Sequence, residues 1–504
     1  MFKQPKGLIG AALANMGERF GFYTMMAILV LFLQTKFNLD DENAGLIYSF
    51  FYAAIYFLSL AGGIIADKTR KYKTTILSGL VLMSLGYVIL MLPSQTPVPE
   101  ASYTFSLILT CFALFVIAFG NGLFKGNLQA LVGQMYDNEQ YSKQRDSGFQ
   151  IFYMFINIGA IFAPAVAVGI RNWWVSVNGY EYNQTLPDLA NKLVASGGQA
   201  SEQFTQAATQ AGYTGTDYSS FASEYLDIFT TGFHYAFGAA VVAMLISLVI
   251  FVVNMKRFPN PADKVKAAAG KANIEMSAQE VKQRLYALFA VFAVVIFFWF
   301  SFHQNGLTLT YFAKDYTDVS NINLNLGFTQ LQGVELFQSI NPFFVVFLTP
   351  IIVGLFGWLS AKGIEPSTPK KIAIGMGIAA LGFLLMTVGS MDLPLKAELE
   401  NMNYSPDVTP WLLVGTYFIL TVAELFISPL GLSFVSKVAP PKYQGTMQAG
   451  WLCATAVGNL LLVFGAMFYS NISISLTWTV FVVACAISMV TMFAMVKWLE
   501  KVAK

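Results

Sequence analysis

The stretch Asn15-Met16-Gly17-Glu18-Arg19-Phe20-Gly21-Phe22-Tyr23 sets a carboxylate beside a guanidinium inside an otherwise apolar segment, Leu8–Leu33. That segment is long enough to cross a bilayer, for which about 20 apolar residues suffice. A charge at the centre of such a helix costs about 2.5–3.5 kcal/mol on insertion scales, and is tolerated mainly where it faces a bundle interior or a water-filled path. Glu18 and Arg19 therefore read either as a structural ion pair between helices or as part of a transport path. The rest of the chain has to separate these two readings.

Working outward, the 504 residues are 56% hydrophobic and 15% aromatic, with only 12% charged. Mean hydropathy is +0.57. A soluble domain carries about 25% charged residues, so the composition is that of a polytopic membrane protein. The net charge of +2 implies no nucleic-acid partner. Cys111, Cys453 and Cys485 all fall in apolar segments without metal-ligand spacing and read as core residues. The first apolar run is too long for a cleavable signal peptide and reads as the first helix.

Hydropathy places twelve helices at about 8–35, 44–67, 74–92, 103–135, 147–170, 233–254, 285–313, 336–360, 371–391, 410–436, 446–470 and 472–498. The runs are too long and continuous for the alternating signature of a β-barrel. Of the 30 Lys and Arg residues, only Lys36, Arg171, Lys192, Lys314 and Lys396 fall on one side of these spans, and Arg19 and Lys125 fall inside helices. All the others lie at the termini or in the even-numbered connections, which puts both termini in the cytoplasm. The basic segment 255–284 divides six helices (1–254) from six (285–504), an arrangement that suggests two six-helix halves with a midplane binding site. An insertion at 171–232, rich in Gln, Ala, Ser and Gly, lies on the other side, with short helices expected at Pro187–Val194 and Ala200–Gln210.

Gly62-Gly63-Ile64-Ile65-Ala66-Asp67-Lys68-Thr69-Arg70-Lys71 ends the second span. It resembles the helix 2–3 signature of the major facilitator superfamily, in which Gly63, Asp67 and Arg70 would form a contact made in one state and broken in another. Glycines allow close helix approach. A plain positive-inside turn is the alternative.

Further stretches resemble one family of that superfamily, the proton-dependent oligopeptide transporters. Asn15–Tyr23 is similar to its helix 1 motif, Gly120-Asn121-Gly122-Leu123-Phe124-Lys125-Gly126-Asn127 to its helix 4 motif, and Phe149–Ala160 to its helix 5 signature. Gln338-Ser339-Ile340-Asn341-Pro342, Glu424–Leu432 and Tyr443–Trp451 match on helices 8, 10 and 11. The resemblance implies an all-α major facilitator fold and a monomer in the bacterial plasma membrane that takes up di- or tripeptides with protons. It implies no cofactor. It assigns Glu18, Arg19, Lys125 and His303 to proton coupling and the charge network, with Arg19 and Lys125 toward the peptide carboxylate. Asn341 and Glu424 would receive the amino terminus. Tyr23, Tyr56, Asn157 and Ser428 would contact the ligand, and Trp299 and Trp451 would line side-chain pockets. For the aromatics, plain helix packing is the competing reading; for Asn341-Pro342 it is a kinked helix.

The departures are specific. Asn15 stands where the family motif has its first glutamate, Phe22 replaces a tyrosine, Met26 a second arginine, His303 the helix 7 glutamate and Gly126 a proline. The helix pair that many bacterial members insert between helices 6 and 7 does not fit in 255–284. An unperturbed His titrates near ~6.5, so His303 either carries a proton or sits neutral in the bundle. Met26 and His303 keep open a transporter of another small solute, an anion or modified amino acid, with altered coupling. A non-transporting sensor would need a signalling domain that the short tails do not offer. No paired carboxylates, nucleophile–histidine set or metal cluster argues for an enzyme.

Overall fold

The computed structural model describes residues 4–69, 71–136, 140–141, 145–259, 276–399, 401–402, 404–440 and 443–503. Most of the basic linker, Arg70 and the side chain of Asp67 lie outside the described residues, so the contact expected of the helix 2–3 motif does too.

The chain is helical, and among the described residues 12 segments are long and apolar enough to cross a membrane. In order they begin with α1 (Leu8–Phe37), α2 (Asp41–Thr69), α3 (Tyr72–Met91), α4 (Glu100–Gln134) and α5 (Arg145–Val177). Two short helices, α6 (Leu186–Ser196) and α7 (Glu202–Gln210), precede α8 (Tyr218–Asn254). The later helices are α9 (Ala278–Phe302), α10 (Thr308–Asp315), α11 (Ile340–Ala361), α12 (Thr368–Gly389), α13 (Pro410–Val438), α14 (Gln444–Leu460), α15 (Leu462–Asn471) and α16 (Ile474–Val502). A two-residue hairpin pairs Leu324–Asn325 with Gln330–Leu331. Local signals set the ends: Asn38 turns left-handed after α1, and the Ser277 and Ser473 side chains accept from Glu280 N and Leu476 N to cap α9 and α16.

Contacts divide the chain into two compact units. One is Met1–Pro261 with Gly306–Ser339 and Leu399–Pro410; the other is Ala262–Asn305, Ile340–Glu398 and Trp411–Lys504.

In the first unit α1 is the innermost helix, with 89% of its most apolar window buried. Small residues make that possible: a Cβ on Gly159 of α5 would stand 2.7 Å from Met16 O, and one on Gly17 would stand 3.2 Å from Ala243 O of α8. On the other side α4 lies against α3 across a glycine pair, where a Cβ on Gly79 would approach Gly120 O to 2.6 Å and one on Gly120 would approach Gly79 O to 2.7 Å.

The insertion is shorter than its composition suggests, because α5 and α8 continue into it. Their extra turns carry Arg171 and Phe229, whose buried contact a polar-looking sequence does not announce. Within the unit these turns grip the segment before Ser339. Arg171 is salt-bridged to Glu335, both fully or nearly fully buried, and Asn172 Nδ2 donates to Gln330 O and Gln332 O at 2.8 Å. Gln184 Nε2 donates to Ala313 O (3.0 Å) and Thr317 O (3.2 Å), while Lys314 Nζ meets Asp188 Oδ2 at 2.9 Å and Gln34 Oε1 at 3.0 Å. Asn191 of α6 closes on Thr35 O at 3.0 Å.

In the second unit the single helix expected at 285–313 is interrupted by a 3-10 turn at His303–Gly306, and the one at 446–470 breaks at Leu461. Side chains reach the backbone at both interruptions. Gln304 Nε2 donates to Leu462 O at 3.3 Å, and Tyr417 donates from its hydroxyl to Asn305 O at 2.7 Å. Irregular backbone at this depth survives only where such partners exist.

Glu335→Gln should destabilise the protein strongly, by about 3–5 kcal/mol, because it strands the buried Arg171 charge. Thermal unfolding in detergent should show most of the loss restored by Arg171→Met in the same chain; an unchanged midpoint for Glu335→Gln alone contradicts the buried pair.

Candidate functional site

Glu18 and Arg19 are adjacent on α1, with 0% and 4% of their surface exposed. Arg19 Nε donates to Glu18 Oε2 and its Nη2 to Oε1, both at 2.5 Å, and Asn121 Nδ2 of α4 donates to Oε1 at 2.7 Å. The carboxyl group thus accepts two hydrogen bonds from Arg19 and one from Asn121. The guanidinium lies 4.6 Å from the ring centroid of Phe22, so the residue that replaces the family tyrosine offers an aromatic face to Arg19.

Lys125 is one turn beyond Asn121. Its ammonium makes no ion pair among the described residues and sits 4.6 Å over the Tyr56 ring, the last of a ladder of Tyr48, Tyr52 and Tyr56 spaced 5.8 and 5.9 Å apart on α2. Tyr23 follows on α1 with its ring 5.4 Å from that of Phe22. Asn157 is buried but spends its amide on Tyr153 O, 3.1 Å away in its own helix. The first unit thus brings Glu18, Arg19 and Asn121 together, with Lys125 on Tyr56 close enough to interact electrostatically with the Glu18–Arg19 pair.

The second unit holds the remaining residues. Asn341 Nδ2 donates to Glu424 Oε2 at 2.9 Å and to Thr421 Oγ1 at 3.0 Å, while Thr421 itself donates to Tyr417 O. Pro342 is in the first turn of α11, directly after the 3-10 turn Val334–Ser339. His303 donates from Nδ1 to Asn459 Oδ1 and stacks on Trp299 at 4.8 Å, so it is held by an amide and an indole within this unit. Trp451 packs flat against Gly431, and its ring is 6.4 Å from Phe292. Ser428 lies one turn after Glu424 and is partly exposed. Among the described residues no group of three or more His, Cys, Asp or Glu could hold a metal ion.

Sequence reading quoted Asn121 only as part of a motif and missed Thr421 and Asn459. Each acquires its meaning from a partner on another helix, which spacing within one helix does not reveal. Gly63, assigned to the helix 2–3 motif, faces open space: a Cβ there would meet nothing within 4 Å. The close approach of α2 and α4 falls instead to its neighbour Gly62, where a Cβ would stand 2.1 Å from Gly122 O, and to Gly122, where a Cβ would stand 2.5 Å from Leu58 O.

Comparison with known proteins places these observations. The model of the POT family matches residues 73–274 and 262–481. The peptide transporter YePEPT of Yersinia enterocolitica is 28% identical, over 91% of this chain and 87% of its own. The di-/tripeptide transporter of Lactococcus lactis subsp. cremoris is 27% identical, over 91% and 88%. Among solved structures, a peptide transporter POT in complex with sulfate superposes with a TM-score of 0.73 at 23% identity, covering 100% of this chain and 96% of its own. A POT family transporter in complex with 5-aminolevulinic acid gives 0.71 at 21%, covering 100% and 98%. Both structures share the fold of this chain.

Gly63→Val should leave thermal stability in detergent within about 0.5 kcal/mol, whereas Gly120→Val should cost about 3 kcal/mol or more by forcing α3 from α4. Equal unfolding midpoints for the two variants would contradict this division of roles.

Proposed function

The chain belongs to the POT family, and from that premise we propose that it is a proton-coupled importer of di- and tripeptides that works by alternating access. The single observation that carries the reading is the Glu18 carboxyl group, fully buried and held by Arg19 and Asn121. A proton arriving on Glu18 cancels the charge that neutralises Arg19. The guanidinium then lacks an anionic partner, and a peptide carboxylate is the ligand group that restores one. Proton and peptide carboxylate thereby become linked through one arginine.

Lys125, resting on Tyr56 and without an ion-pair partner among the described residues, is a second cation for the peptide C-terminus. Glu424, oriented by Asn341, is the matching anion for the amino terminus. A free zwitterionic peptide presents both charges that these groups complement; an anion alone would leave Glu424 unanswered. Tyr23, Tyr56 and Asn157 act as hydrogen-bonding groups, with Trp299, Ser428 and Trp451 shaping side-chain specificity. His303, tied to Asn459, adjusts the coupling network rather than replacing Glu18. The helix 2–3 motif of Gly63, Asp67 and Arg70 serves the rocking of two six-helix halves (1–254 and 285–504, joined by 255–284). The excess of Lys and Arg in the even-numbered connections supports cytoplasmic termini in a bacterial plasma membrane, and the chain works as a monomer.

Purified protein in liposomes should accumulate labelled dialanine when the outside is acidified and should fail to do so after Glu18→Gln. Glu424→Gln should raise the KM for dialanine about tenfold or more, the value of one charge-assisted hydrogen bond. No accumulation above empty liposomes under any gradient would overturn the reading.

A further inference from the structure

Asn121 is fully buried on α4, next to the two glycines that seat this helix against α2 and α3. Its Nδ2 makes the 2.7 Å bond to Glu18 Oε1, and its other contact is a weak one to Met83 Sδ at 3.9 Å. Its Oδ1 is buried and has no hydrogen-bond partner among the described residues. A strong acceptor is therefore held on the same side chain that donates to the coupling carboxylate.

The charged groups around Glu18 cannot serve its protonated form. Arg19 on α1 and Lys125 on α4 are donors only, so neither accepts a carboxylic O–H. α5 and α8 present Gly159 and Ser247 to this part of α1, and Ser247 already donates to Ala14 O. α2 contributes Tyr56, beneath Lys125. On α3, one turn from Met83, the Tyr87 hydroxyl is buried and without a partner among the described residues. The amide oxygen of Asn121 is the acceptor already attached to a group in contact with Glu18, and half a turn of the side-chain amide exchanges it with the nitrogen.

We propose that Asn121 is the positioning residue of proton coupling, donating through Nδ2 to the charged Glu18 carboxylate and, turned over, accepting through Oδ1 the O–H of the neutral one. The inference rests on the transport reading above. The step is a protonation only: a proton from the acidified side bonds to Glu18 Oε1, the carboxylate loses its charge, and the same proton leaves when the cycle releases it. Both end states then keep a hydrogen bond between the Glu18 carboxyl group and Asn121, so protonation does not leave the carboxyl O–H without an acceptor.

Asn121→Leu keeps the branched shape and removes both donor and acceptor; Asn121→Asp adds a like charge. Two readouts separate the inference from the reading on which it rests. The first is gradient-driven accumulation of dialanine in proteoliposomes, set against dialanine counterflow, which needs no net proton movement. Asn121→Leu should lower accumulation about tenfold and counterflow by less, and Asn121→Asp should move the pH profile of accumulation upward by about one unit. The second is the infrared titration of the Glu18 carboxyl band, assigned by its loss in Glu18→Gln. Its midpoint should rise in Asn121→Leu, because the bond lost from the anion is the stronger of the two. An unchanged midpoint in both Asn121 variants overturns the proposal, including where transport falls through poor folding. If the wild-type protein accumulates no dialanine, the transport reading fails, and the infrared midpoint still decides whether Asn121 governs Glu18.

Discussion

Everything in the first unit depends on burying Glu18 and Arg19 side by side in one helix. Neither ion is tolerable alone in an apolar interior; paired and hydrogen-bonded, they are. That condition makes α1 an interior helix. It requires the close seating of α5 and α8, which Gly159 and Gly17 permit, and it brings α4 near enough for Asn121 to reach Glu18. The glycine pair between α3 and α4 then serves chemistry as well as packing, because it fixes the height at which Asn121 and Lys125 stand. Phe22 completes the arrangement: its ring takes the face of Arg19 that no carboxylate covers.

The spans were legible in the sequence because hydropathy and the placement of Lys and Arg are summed over many residues, and sums survive local irregularity. The irregularities themselves were hidden. Nothing in Phe302-His303-Gln304-Asn305 marks a helix end as clearly as a proline would, and Leu461 is an ordinary helix former. Those breaks exist because Gln304 and Tyr417 reach carbonyls on other segments. The lengths of α5 and α8 were underestimated for a related reason. Arg171 looks like a flanking charge in sequence and is instead a buried group held by Glu335, far away along the chain. Asn341 and Glu424 were legible as members of motifs, but the third member, Thr421, had no signal of its own.

The departures from the family pattern are likewise resolved by partners rather than by residue type. Met26 is buried and apolar, so the position of a second arginine has joined the core of α1. His303 replaces an acidic group but donates to the Asn459 amide oxygen and lies over Trp299, an environment that anchors an imidazole rather than one built around a carboxylate. Among the acidic site residues named, Glu18 is the one tied directly to a cation, Arg19.

Each unit sets an asparagine against a glutamate, and the two pairs differ in one instructive respect. Asn341 commits its amide hydrogens to Glu424 and Thr421, two good oxygen acceptors, so turning the amide over would break both bonds. Such an amide clamps its carboxylate in one orientation. Asn121 commits to one good acceptor, Glu18, and to a poor one, the Met83 sulfur. Its orientation is therefore set by the charge on Glu18 itself. When that charge disappears, the donor has lost its reason to point inward, and the buried oxygen on the same amide gains one. On the proposal above, the atom in the second hydrogen-bond position is what separates a fixed amide at Glu424 from a reversible one at Glu18.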